Sequence, residues 1–138
     1  MSAAFLNIGG ALDARLANMA NLPSVAWQNL GFDPDLNALY LRPTHLPAPT
    51  VQAALGTSGL DRYQGVYQID VFALSGTGRG SSEVQADLIA DHFKRGTDLS
   101  YSGIIVRTGD VSRGAGRSEE NRFVISIFIN YLAYVAPR

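Results

Sequence analysis

Gly65-Val-Tyr-Gln-Ile-Asp-Val-Phe-Ala73 precedes a glycine-rich connection over 74–81 and a helical pattern over 82–93. In an extended chain Tyr67, Ile69, Val71 and Ala73 fall on one face. Gln68 and Asp70 fall on the other, between Val66 and Phe72, close to the period-two signature of a half-buried strand. The stretch predicts a central strand, a turn-forming linker and a helix folded back over the sheet. Ser81 or Ser82 suits the N-cap of that helix, and Glu83 and Asp87 in its early turns complement the positive end of its dipole.

Working towards the N-terminus, 50–62 is polar, with Gly56 and Gly59 and only Val51, Leu55 and Leu60 as anchors, and reads as a long excursion from the core. Leu39 to Arg42 reads as a strand whose continuation Pro43, Pro47 and Pro49 restrict to an edge or an extended arm. Val25 to Asn29 is a short strand carrying Trp27, an anchor for the core or for an interface. Ala3 to Ala20 reads as a first helix, with Phe5, Ile8, Leu12, Leu16 and Met19 in one apolar stripe. Gly9 and Gly10 weaken it by about 1 kcal/mol each relative to alanine, which fits close packing against the sheet, the favoured reading, or a helix start nearer Gly10.

Towards the C-terminus, Gly96 is placed to end the second helix. Leu99 to Tyr101 and Gly103 to Arg107 form a hairpin turning near Ser102-Gly103. Gly109 to Asn121 reads as a second polar loop. Arg122 to Tyr134 is the longest predicted strand, with Phe123, Ile125, Ile127, Ile129 and Tyr131 on one face. Val124, Ser126, Phe128, Asn130 and Leu132 form the other, too apolar for plain solvent; a partner subunit or the N-terminal helix would cover it.

The chain has 138 residues, enough for one domain with a real core, and no repeat or low-complexity block divides it. Eleven basic residues against twelve acidic ones give a net charge of −1, which argues against a polyanion ligand. Lys94 is the sole lysine beside ten arginines, a bias found in interfaces and in GC-rich genomes alike. The chain has no cysteine, which excludes disulfides, thiolate metal sites and cysteine nucleophiles. No signal sequence or membrane span is expected, so a soluble protein made in a cytoplasm is.

Gly76-Thr-Gly-Arg-Gly80 follows a strand and opens a helix, as a phosphate loop does, but it lacks the Gly-Lys-Ser/Thr ending. A small nucleotide-binding or enzymatic domain using this loop with His92 is therefore the alternative from a different class. Neither His45 nor His92 sits in a metal-ligand spacing, and structural roles are expected for both. No cofactor, metal or catalytic residue is assigned. Glu83, Asp87 and Asp91 form a like-charge ladder on one helix face. A solvated face is the plain reading. A sharper one sets this ridge against Arg79, Arg113 and Arg117 of a neighbouring copy, those arginines lying in loops that can reach.

Val25-Ala-Trp-Gln-Asn29, Tyr40-Leu-Arg42, Leu55-Gly-x-x-Gly-Leu60, Arg62-Tyr-x-Gly-Val-Tyr-Gln-Ile-Asp-Val71, the loop at Gly78 and the helix ending in His92-Phe93 occur in an order that resembles the phage tail terminator-like family. The resemblance spans nearly the whole chain, with Arg62 to Val71 its most telling piece. It implies an α+β fold: one domain over 1–138, with a mixed, mostly antiparallel sheet on which the N-terminal helix and a second helix (about 82–94) pack. It also implies a structural virion protein with no catalysis. Such a subunit forms a homohexameric ring at the head-proximal end of the tail, stops tube elongation and docks the head connector. Its partners would be copies of itself, the tail tube protein and a head-completion or connector protein, with DNA passing through the lumen without specific binding and no membrane involved. Assembly would take place in the host cytoplasm. A neighbouring head–tail joining role is the close variant. Candidate interface residues are Arg79, Glu83, Asp87, Asp91, Arg113, Arg117, Val124, Phe128 and Leu132.

Overall fold

The structure is a computed structural model and describes residues 3–28, 30–33, 38–52, 60–74, 76 and 80–135. Its elements are α1 (Ala4–Ala17), β1 (Ser24–Val25), β2 (Tyr40–Pro47), β3 (Val51–Gln52), β4 (Asp61–Leu74), α2 (Gly80–His92), β5 (Asp98–Tyr101), β6 (Ile104–Arg113), β7 (Arg117–Glu119) and β8 (Arg122–Val135). They make one sheet in the order β1-β2-β4-β8-β6-β5, with β3 added beside β4 and β7 beside β8. Every pairing is antiparallel except that of β1 with β2. The α+β architecture with two helices on a mostly antiparallel sheet is thus the one expected.

The predicted central strand is central. β4 pairs with β8 without interruption from Asp61↔Val135 to Leu74↔Arg122 and with β2 on its other side. Both β4 and β8 have 14 residues, so β8 is not longer than its partner. Both helices lie on the same face of the sheet, α1 over β5, β6 and β2, and α2 over β8, β4 and β6. Ile8, Leu12 and Leu16 of α1 and Ala86 and Ile89 of α2 are buried against Tyr67, Ile69, Val71, Ile125, Ile127 and Ile129. Each large aliphatic side chain buried there contributes about 1.5–3 kcal/mol. The period-two reading of β4 and the helical stripe of α1 describe this same interior.

Several boundaries differ from the sequence reading. α1 ends at Ala17 rather than Ala20, and Phe5 is exposed, its ring edge-on to Tyr63 at 5.2 Å, while Met19 is buried beyond the helix. β1 is two residues long, and Trp27 follows it, half-buried against the core. α2 begins at Gly80, so Ser81 and Ser82 lie inside the helix and Ser82 is buried. Gly96 adopts φ +85° in the turn beyond α2, four residues past its last residue, rather than at the cap itself. The hairpin at Ser102-Gly103 is as expected, both residues having positive φ (47° and 83°), the requirement of a type I′ turn.

The prolines of β2 do not end it. Leu41 accepts from the Ala26 N–H and His45 donates its N–H to Gln28 Oε1, so odd-numbered residues of β2 turn their polar groups away from β4. Pro43 and Pro47 share that outward side, where β1 has already stopped, and their missing N–H groups interrupt no ladder. The excursion at 50–62 is in part a hairpin, with Val51↔Arg62 and Gln52↔Asp61 paired, while 53–59 lie outside the described residues. The supposed loop at 109–121 is mostly strand: β6 continues to Arg113 after an irregularity between Thr108 and Val111, and β7 pairs with the start of β8. A strand of polar and glycine residues shows no hydrophobic alternation, yet its backbone completes the ladder.

Candidate assembly surfaces

Among the described residues the second face of the sheet carries no helix. The N-terminal helix does not cover it, because α1 and α2 both use the face of Tyr67 and Ile127. Register sets its rows: Arg42, Asp70 and Ser126 lie side by side, flanked by Tyr40, Phe72 and Val124 and by Thr44, Gln68, Phe128 and Ser112. Arg117 lies opposite Val124. Tyr40 and Phe72 stack with centroids 4.6 Å apart, and the Arg42 guanidinium sits 4.7 Å from the Phe72 centroid.

Asp70 is the centre of this face and is only 1% exposed. Its Oδ2 accepts from Arg42 Nη2 at 2.9 Å and Nε at 3.3 Å, and its Oδ1 accepts from Gln68 Nε2 at 2.9 Å and Ser126 Oγ at 2.5 Å. Arg117 Nη1 in turn donates to Ser126 Oγ at 3.0 Å. A carboxylate without such partners costs several kcal/mol to bury. Here four donors from β2, β4 and β8 surround it, and the row ties four strands together. Asp70 in the sequence pattern signalled an outward face; only the strand register shows that its donors enclose it.

The expected interface residues divide. Arg79 and most of the Gly76–Gly80 loop lie outside the described residues. Arg113 and Arg117 sit on strands, not in flexible loops. Arg113 Nη2 donates to Glu83 Oε1 of the same chain at 3.2 Å, and Arg117 lies 3.7 Å from Glu119. Val124 is fully enclosed within its own chain, whereas Phe128 and Leu132 keep accessible area on the helix-free face. Asp87 and Asp91 are exposed on α2. Sequence reasoning missed Val84 and Leu88, large apolar residues exposed beside those carboxylates, and it missed Ile105 and Tyr134.

Both histidines hold the fold together. His92 Nε2–H donates to Arg15 O at 2.6 Å, while Arg15 Nη2 and Nε donate to His92 O at 2.8 and 3.1 Å, so each helix end is capped by the other helix. His45 Nε2 lies 2.7 Å from the Tyr131 hydroxyl, and the Tyr67 hydroxyl donates to Asp13 Oδ1 at 2.5 Å. Burial lowers the His45 pKa, with Asp13 offsetting part of the shift, and burial raises Tyr131 to about 12. Burial likewise raises Asp13, against the opposing pull of Tyr67 and His45. Among the described residues no cluster of three His, Cys, Asp or Glu side chains is arranged to hold a metal ion.

Comparison with known proteins bears on residues 7–131, from α1 to the last third of β8, which match the model of a family described as phage tail terminator protein. No curated protein sequence matches. A solved structure matches over 95% of this chain and 96% of its own, with a TM-score of 0.72 and 28% identity. The likeness therefore includes both helices and the β4–β8 centre of the sheet. On this match over residues 7–131, nearly the whole of its length, the chain belongs to the phage tail terminator protein family.

Proposed function

We propose that this protein is a structural, non-catalytic ring subunit that caps the head-proximal end of the tail tube. In that position it ends tube elongation and presents the surface on which the head connector docks. The observation that carries the reading is the family match over residues 7–131. The two unlike faces of the sheet support the ring: a subunit in a closed ring uses a different patch on each side. We place six copies in the ring, with the tail tube protein and a head-completion or connector protein as partners, in the virion and, during assembly, in the host cytoplasm. The α2 ridge and the helix-free face, through Phe128 and Leu132, are its lateral surfaces. A net charge of −1 suits a lumen through which DNA slides without sticking.

Adding the purified protein to polymerising tail tube protein tests this reading. Tubes should stop growing, with a ring at one end in electron micrographs. Tubes that reach their usual length with bare ends would refute it.

A further inference from the structure

Two surface features among the described residues complement each other in shape and charge. The exposed stripe of α2 carries Val84 and Leu88 one turn apart, 61% and 50% exposed, with Asp87 and Asp91 alongside. Among the described residues no basic group pairs with either carboxylate. A helix that buries Ala86 and Ile89 on its inner side has no need, for its own fold, of two large aliphatic residues on its outer side.

The complement lies on the helix-free face, beyond Leu132. There a cleft of about 450 Å³ is lined by Ile105, Arg107, Leu132 and Tyr134 among others, with Ile105 56% exposed. Arg107 is engaged by Asp98, at 2.8 Å from Nε to Oδ1. Arg62 is not so engaged. It stands directly across from Tyr134 in the ladder, and its Nε is buried with no acceptor among the described residues. Leaving a buried donor unmatched costs about 1–3 kcal/mol. The Nε is itself enclosed, but among the described residues no carboxylate pairs with the guanidinium, and an incoming carboxylate would meet that charge.

We propose that the outer stripe of α2 in one copy seats in this cleft of the next. Val84 and Leu88 lie against Ile105, Leu132 and Tyr134, and Asp87 or Asp91 meets Arg62. The occupant is a second copy because one chain carries both halves: an apolar stripe edged with acid and an apolar cleft edged with an unmatched arginine. An amphipathic helix in an apolar groove is an established recognition mode. α2 lies on the core face of the sheet and the cleft on the opposite face, so the contact is head-to-tail and propagates until it closes. The pairing rests on the ring reading above, of which it specifies the lateral contact.

Light-scattering mass of the purified chain across a concentration series provides the test, with Leu88→Asp and Ile105→Asp as single variants. Both positions are exposed, and native circular dichroism confirms each fold; Arg62→Glu replaces Ile105→Asp should that spectrum change. Each variant alone should require at least about tenfold more protein to assemble than the parent. An equimolar mixture of the two retains one sound stripe and one sound cleft, so it should give a heterodimer that grows no further. An assembled parent whose variants assemble equally well overturns this pairing and leaves the terminator reading standing. Variants that remain monomeric when mixed also overturn it. A parent that is monomeric at every concentration overturns the self-contact, and tube capping then judges the terminator reading on its own.

Discussion

Gly65 shows how tightly one residue of β4 is constrained. A Cβ at this position would lie 2.6 Å from Leu46 O, 2.7 Å from the Tyr131 hydroxyl and 2.9 Å from Pro47 Cα. Two of those atoms are backbone, so β2 itself would have to retreat. Gly65→Ala should destabilise the protein by about 2–3 kcal/mol, read from the urea midpoint at unchanged slope. A midpoint equal to the parent's would mean β2 yields freely. His45 brings a dependence on pH. Its folded pKa is lowered from the ordinary 6.5 by burial, so the unfolded chain takes up the proton first as pH falls. The unfolded state then binds more protons, and stability declines as the pH drops through about 6.5. Asp13, whose pKa is raised, acts oppositely: its contribution is complete below 3.8 and is lost as pH rises through its folded value. The melting temperature should fall between pH 7.5 and 5.5, and His45→Gln should flatten that slope. An unchanged slope in the variant would assign the titration to another group.

Among the elements, α1 and α2 are joined through their ends. Arg15 caps His92 O and His92 caps Arg15 O, so removing either side chain leaves the other residue's carbonyl without that donor, and the remaining cap loses the partner that helps hold the two helix ends together. Arg15→Ala and His92→Ala should each cost about 1 kcal/mol, and the double variant should cost less than their sum by about 1 kcal/mol. Strict additivity in denaturant melts would show that the two caps act independently. The helices and β4 were legible because burial on one side imposes a period on the residue pattern. β6 beyond Thr108 and β7 were not. Ser112, Arg113, Arg117 and Glu119 carry no such period, and their strand state follows from rungs such as Arg113↔Ile127 and Arg117↔Val124 with β8.

Across the whole molecule, charges that seemed available to a neighbour divide into those satisfied at home and those left over. Arg113 serves the contact of α2 with β6 through Glu83, both groups being substantially exposed. Arg113→Glu should therefore lower the stability of the single chain by about 0.5–1 kcal/mol while leaving the assembled mass unchanged. An altered mass with unaltered stability would return Arg113 to the interface. Leu132 and Phe128 were legible as an unmatched apolar face, but Val124 on the same face was not separable from them. The register places Val124 between Phe72 and Arg117, where its own chain encloses it.

The sequence by itself determined the centre: a period-two strand at 65–73, an apolar helix stripe at Ile8, Leu12 and Leu16, the paired strand from Arg122, and a family likeness concentrated in Arg62 to Val71. Those signals are local, because a residue's side of a strand or helix follows from its spacing alone. Tertiary structure decided which sheet face the helices occupy, that Asp70 is enclosed by Arg42, Gln68 and Ser126, and that Arg113 is paired while Arg62 Nε finds no acceptor among the described residues. Each of these depends on which residues of distant strands stand opposite one another. Register is fixed by the pairing of whole strands, and no single stretch of the chain contains it.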